Sequence, residues 1–562
     1  MLNWLVSRLK SIDDVPGHPL GSEADITSWL SELPVVNPKR ALLAIDEWLQ
    51  DPEHLAGQLD AAQMARAVDR LDEYAQPSVT QCWQEILKEA RKEQRGTLPT
   101  RPLDTYYEHC RVSCLHVFRR LVEDPVLGQE KRLQAKFAAR AMHAWVSLKK
   151  LAHMSYRAPP DNWWGEAHEL NRRARELAVS HIEQHLYRGQ DVHTSLWKEY
   201  MAGLLLDTLP LSNMTANEIQ AAERLSVWIE PRCQYLETQT SLSLFSIDPL
   251  ANRGPERCRE GSCAEGLRYI APGPGYQQLM QLSKTLGGAD NNMPNWLQNT
   301  GLTALEIKEL LQTMTVHWSP NPPKRGQLRQ ASSGRIHVVH GLSMVRRMVA
   351  ASEFARSGRA LDYEGFIKSM RSQQGDSIFV QDVPEAPKTP MEVLQLLESA
   401  GDRQMMDQWE LLDESARGMG VRCFSRRPWH TIGALVACRR EDDLNWHVAI
   451  VRRLGSSHGT ANAGLATFNG TPLCSQVRPS ETGGAATLKF QGESDTSGMN
   501  WRDAILLSND ADLFLAPPGT YKPDHCVDVS SGGRFRPVIM QSLQAKGNDY
   551  ELIHCRALGD GV

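Results

Sequence analysis

Arg325 and Arg329 stand four residues apart in the run PPKRGQLRQASSGRIHVVHG, and residues 413–418 read DESARG. The second run places Asp413, Ser415 and Gly418 in an Asp-x-Ser-x-x-Gly pattern. A guanidinium makes paired hydrogen bonds to phosphate, and its flat face stacks on a base. A carboxylate accepts donors such as those on the edge of a guanine, and a serine hydroxyl can donate or accept. A glycine lets the chain turn tightly and brings backbone close to a ligand. Two arginines with one acidic acceptor therefore suit a guanine nucleotide with charged phosphates.

Other chemistry finds less support. No Gly-rich loop is followed by Lys-Ser or Lys-Thr, so a Walker-type phosphate site is not indicated, and no dinucleotide fingerprint follows a strand. His168 lies beside Glu169 but lacks the second histidine of a zincin, so it reads as a helix-surface or half-buried residue. Cys110 and Cys114 are four apart, Cys258 and Cys263 five apart, and neither pair has a second pair at ordinary zinc spacing. They read as structural thiols. Asp510 and Asp512, two apart, are a weak metal hint. A second Asp-x-Ser-x-x-Gly occurs at Asp528, Ser530 and Gly533 without an arginine pair just upstream. It reads as a hairpin turn capped by its Asp and Ser side chains. No constellation argues for hydrolysis or group transfer, so a non-enzymatic protein without a cofactor or metal is expected.

The 562 residues carry a formal net charge of −5, with 41% hydrophobic and 23% charged residues. Such a composition builds sizeable soluble cores and disfavours general nucleic-acid binding. Eleven scattered cysteines suggest reduced thiols in a cytoplasmic protein. The first residues, MLNWLVSRLKSIDD, do not read as a signal peptide, and no long uncharged apolar run suggests a transmembrane span.

The elements that must position the arginines and the aspartate follow from period. Residues 1–235 place apolar residues three and four apart, as in AAQMARAVDRLDEYAQ, and read as an α-helical domain. Residues 236–319 are mixed α/β, with a helix start expected at Thr303 and Glu306 three residues on. Residues 320–475 read as short antiparallel strands, interrupted by a helical interval at 342–405 that looks inserted and packed on the outside. Residues 476–562 are a further β-rich region. The fold class is multidomain α+β, with helices first and a barrel or sandwich after.

The order of these features resembles the PilZ domain, a bacterial receptor module for cyclic di-GMP, over about residues 320–475. The Arg325 and Arg329 pair comes before a first strand, RIHVV, and the Asp413, Ser415 and Gly418 motif lies around a second. GALVAC, NWHVAIVRRL and AGLATF resemble the strands that follow. The resemblance implies a non-enzymatic receptor in which the arginines hold phosphates and stack on guanine while Asp413 and Ser415 contact a guanine and its surroundings. Gly418 completes the site by resemblance. The helical region would then present a surface to a protein partner. Arg329 and Asp413 are 84 positions apart, a departure from the family pattern that requires the interval 342–405 to be an insertion. The alternative is a helical scaffold with a degenerate domain that no longer binds nucleotide.

Overall fold

Helix starts in the first half of the chain are written in short polar side chains. Asp60 with Gln63, Thr215 with Glu218, and Thr303 with Glu306 form reciprocal capping boxes. The last is the start expected from the sequence. The computed structural model describes residues 15, 17–34, 36–92, 98–160, 162–189, 192–258, 266–286, 293–322, 329–365, 386–399, 406–424, 427–457, 460–480, 501–507, 512–531 and 534–557. The chain divides into two units, Met1–Lys324 and Arg325–Val562.

In the first unit, helices α1 (Glu23–Ser31), α2 (Pro38–Leu49), α3 (Pro52–Gln58), α4 (Ala61–Glu89), α5 (Arg101–Glu123), α6 (Lys131–Met154), α7 (Trp163–Glu176), α8 (Leu196–Asp207) and α9 (Ala216–Ile229) share one hydrophobic core. A small antiparallel sheet follows, of β1 (Gln234–Leu236), β2 (Phe245–Ile247), β3 (Glu256–Arg257) and β4 (Arg268–Ala271) in the order β1-β4-β2-β3. Then come α10 (Gly273–Thr285), α11 (Asn295–Gln298) and α12 (Ala304–His317).

Helix α6 organises this unit because it is buried on nearly every side, against α5, α7, α8 and α9. A helix buried all round must pair its charges. Lys149 meets Asp207 at 2.5 Å and lies over the Trp164 ring at 4.2 Å; Lys150 meets Glu223 at 2.6 Å and lies over Trp83 at 4.1 Å. His168 on α7 is a satisfied core histidine rather than a surface one. Its Nδ1 meets the Tyr200 hydroxyl at 2.8 Å and its Nε2 the Arg253 carbonyl at 3.1 Å.

Among the described residues, the Glu230 carboxylate has no such ion pair. Glu230, just after α9, is 8% exposed, and burial pushes its acid up to about 7. Lys198 opposes the shift, while Glu183 and Glu199 add to it. Because the folded value lies above the unfolded one, the native state holds an extra proton between about pH 4.5 and 7. Stability therefore falls as pH rises through that window. Glu230→Gln is expected to stabilise the protein by on the order of 3 kcal/mol at pH 8, with no gain at pH 4.5. Thermal melts at the two pH values check the difference.

The second unit contains two antiparallel barrels. The first is a ring of β6 (Arg335–His340), β9 (Leu435–Arg440), β10 (His447–Ser457), β11 (Thr460–Thr467), β8 (Gly418–Cys423) and β7 (Asp407–Ser415), closed by β7 pairing with β8. A two-residue strand, β5 (Gln330–Ala331), pairs with the end of β7 on the edge that β6 also uses. The second closes in the order β12 (Leu473–Pro479), β13 (Arg502–Leu506), β14 (Leu513–Ala516), β17 (Glu551–Ala557), β16 (Arg534–Lys546) and β15 (Cys526–Ser531). Its interior is filled by Val477, Leu506, Phe514, Val529, Val538, Met540 and Ile553, among others.

The interval between β6 and β7 does not sit as an accessory. Its described helices, α13 (Leu342–Arg356) and α14 (Pro390–Ser399), share a buried cluster with strands of both barrels. Strand β9 explains this: Leu435 and Ala437 join the cluster with the helices, while Val436 and Cys438, also buried, alternate to the opposite face. A strand buried on both faces needs a second layer, and α13 and α14 supply it.

Candidate functional site

The pairing of β5 with β7 sets Ala331 opposite Asp413, so Arg329, two residues before Ala331, enters beside that aspartate. Its Nη1 donates to Asp413 Oδ1 at 2.6 Å, and each side chain is about one third exposed (33% and 32%). Arg325 lies outside the described residues. The separation of 84 positions from Arg329 to Asp413 is thus closed by one strand pairing.

Strands β7 and β8 form a hairpin whose two-residue turn is Ala416–Arg417, with Ser415 opposite Gly418. The Ser415 hydroxyl donates to the Gly418 carbonyl at 3.3 Å. A β-bulge between Leu411 and Asp413 re-aims the end of β7. Gly418 does a different task from the one expected of it. It begins β8 rather than making the turn, and a Cβ there would stand 2.6 Å from the Leu465 carbonyl of β11. Its small size serves strand approach. Sequence reasoning missed Gly420, directly opposite Asp413: a Cβ there would lie 2.6–2.8 Å from the Asp413 carboxylate. The bare Gly420 leaves room for the carboxylate to face Arg329.

The surroundings are arginine-rich and paired. Glu410 holds Arg422 at 2.9 Å, and Glu414 holds Arg440, which also donates to Ser332 Oγ at 3.3 Å. Glu410, Asp413 and Glu414 of β7 therefore each meet a guanidinium from another segment. Exposed ion pairs contribute only about 0–1 kcal/mol, so each opens at low cost. A phosphate can compete for Arg329 while the edge of a base competes for Asp413.

The remaining sequence candidates fall out differently. Cys110 and Cys114 are buried thiols with Sγ atoms 3.9 Å apart, close to Asp72. Asp72 is already engaged by the Tyr106 hydroxyl and by Arg140, and that buried cation disfavours a metal ion there. Cys263 and Asp510 lie outside the described residues. Asp528 is not a turn cap, as the sequence suggested. It sits within β15, opposite Arg478 of β12, and accepts from Arg478 Nε at 3.0 Å.

Residues 24–239 match the family described as the cyclic-di-GMP receptor FimW, N-terminal domain. The match spans α1 to β1 and describes a receptor domain rather than a catalytic one. No curated protein and no solved structure matches the chain.

This match corrects the resemblance to PilZ drawn for residues 320–475. The receptor likeness lies in the helical unit, in a domain distinct from PilZ. The physical reason is that the motifs were short. Asp-x-Ser-x-x-Gly fits a strand end or a hairpin in many settings, as its second occurrence at Asp528 shows. The barrel that holds Asp413 is also built into a larger core with α13, α14 and the second barrel. Among the described residues, no helix is long and apolar enough to cross a membrane.

Proposed function

We propose that the chain is a non-catalytic receptor for cyclic di-GMP, with the ligand held at the β5–β7–β8 edge of the first barrel. The likeness of residues 24–239 to a cyclic-di-GMP receptor domain carries the receptor class. The Arg329–Asp413 pair supports the placement, because it combines a phosphate-binding fork with a guanine acceptor on rigid strands at partial exposure. Arg325, four residues upstream, supplies a second guanidinium, and Ser415 and Gly418 frame the hairpin beside the pair. The helical unit presents the signal to a protein partner.

Calorimetric titration with cyclic di-GMP at fixed salt tests the placement. Arg329→Ala and Arg325→Ala each lose roughly 1.5–3 kcal/mol of binding, at least about tenfold in affinity. Arg329→Lys also weakens binding, since an ammonium lacks the fork and the stacking face. Gly420→Ala crowds the Asp413 carboxylate and lowers affinity without touching a ligand-facing side chain. Wild-type affinity in Arg329→Ala and Asp413→Ala, with binding retained, moves the ligand elsewhere in the chain and sinks the placement.

A further inference from the structure

The second barrel carries an arginine–carboxylate pair of its own, with aromatic rings added. Strand alternation turns Val477, Val529 and Val538 into the barrel, so Arg478, Asp528 and Pro537 face outward together. Phe535, two residues before Pro537, shares that outer face opposite Ser530. On the other side, Val477 pairs with Arg502, so the register continued by one residue sets Trp501 beside Arg478. The side chains meet accordingly. The Arg478 guanidinium lies 4.8 Å from the Trp501 ring centre and 4.5 Å from that of Phe535, and the two rings are 4.7 Å apart. Asp528 holds Arg478 Nε at 3.0 Å, which fixes the plane of the guanidinium.

Above a buried Asp528, the cluster reaches the surface. Phe535 is 41% exposed, and Trp501 and Arg478 are half-buried. An indole, a phenyl ring and a guanidinium held together on an outward face offer a planar group a surface to stack on. Aromatic rings stack on any base, whereas an oriented guanidinium matches the paired acceptors of guanine. The Arg329–Asp413 site is an ion pair on a strand edge; the Arg478 site adds a stacking platform to the same charge arrangement.

We propose that Arg478, Asp528, Trp501 and Phe535 form a second site, on the outer face of the second barrel, that binds a guanine base of a nucleotide. The inference rests on the proposed receptor function for its ligand class and goes beyond it in locating a separate site. Phe535→Ala tests it on the full chain, because an exposed ring can be removed without opening the barrel interior. An unchanged melt confirms that the variant is folded.

Calorimetry with cyclic di-GMP, and with cyclic di-AMP as the base control, reads the result. The wild type takes up cyclic di-GMP in two distinguishable events and discriminates against cyclic di-AMP. Phe535→Ala weakens one event at least about tenfold and spares the other, and Arg478→Lys affects the same event. Arg329→Ala weakens the remaining event. Wild-type stoichiometry and affinity in Phe535→Ala overturns the second site, whatever Arg329→Ala does. Loss in Phe535→Ala with none in Arg329→Ala leaves the second site standing and removes the first-barrel placement. Equal uptake of cyclic di-AMP, or no uptake of either dinucleotide by the wild type, overturns the guanine assignment.

Discussion

Excision of residues 345–403, with the ends joined by a short Gly-Ser loop, is expected to unfold the second unit. Helix α13 places Val345, Met348, Val349, Ala351 and Ala355 in the cluster that covers β9 and β10 and reaches Ile505, Leu515 and Leu552 of the second barrel. Each large apolar side chain buried there contributes about 1.5–3 kcal/mol. Their joint loss approaches the whole stability of an ordinary domain, about 5–15 kcal/mol. Helix α14 adds a polar anchor. Glu398 binds buried Arg439 through both oxygens, at 2.7 and 2.8 Å, and accepts from Trp446 Nε1 at 2.9 Å. Without it Arg439 stays buried with no carboxylate, a further cost of about 3–5 kcal/mol. Differential calorimetry of the excised full chain should lose one transition and keep that of the helical unit. A surviving β-sheet melt would show that α13 and α14 are accessories to the barrels.

Several of these relations were readable in the sequence, and others could not be. Arg329 and Asp413 meet because a two-residue strand just after one pairs with the strand holding the other; the second of these shows in the sequence as WELLDES, whereas Gln330–Ala331 is too short to carry a period. The helix start at Thr303 was equally legible, because a cap is a local bond between residues three apart. What period does not reveal is the identity of the neighbour. Helix α13 is amphipathic in sequence, but nothing in its pattern says that its apolar face meets two barrels rather than the outside of one. Asp528 looked like a turn residue because its partner, Arg478, is 50 positions upstream on a strand with no motif. Gly420 was invisible because its role is the empty space it leaves for Asp413. The receptor likeness of residues 24–239 escaped for another reason. That stretch shows only helical period in the sequence, whereas a handful of charged residues in the barrel drew the chemical reading.

The largest single-residue effect is expected at Arg140, at the centre of α6. Its side chain is fully buried. Nη1 lies 2.9 Å from Asp69 and 3.2 Å from Asp72, and Nη2 donates to Glu73 at 2.7 Å. Nε and Nη2 also reach the Leu186 carbonyl, and the guanidinium lies over Tyr187 at 4.7 Å. Lys136 is the other cation, bound to Asp69 and 3.5 Å from Glu73. Three carboxylates of α4 thus face two cations of α6. Arg140→Met removes one of those cations, leaving Asp72 without its cation in a buried setting, and should destabilise the helical unit by about 3–5 kcal/mol at neutral pH. The pH dependence separates this electrostatic loss from a packing defect. Burial pushes the Asp69 carboxyl up, but Lys136 and Arg140 outweigh it and hold it below the usual range. In the wild type that contribution is present above the unfolded carboxylate value and is lost as pH falls through the lower folded value. Without Arg140, burial weighs more heavily on the Asp69 carboxyl, so acidification neutralises a group that costs stability. The deficit of Arg140→Met should therefore shrink between pH 7.5 and pH 4.5 in denaturant titrations. Adding Asp72→Asn should recover part of the loss at pH 7.5. An equal deficit at both pH values, unmoved by Asp72→Asn, would mean that Arg140 acts by filling space rather than by its charge.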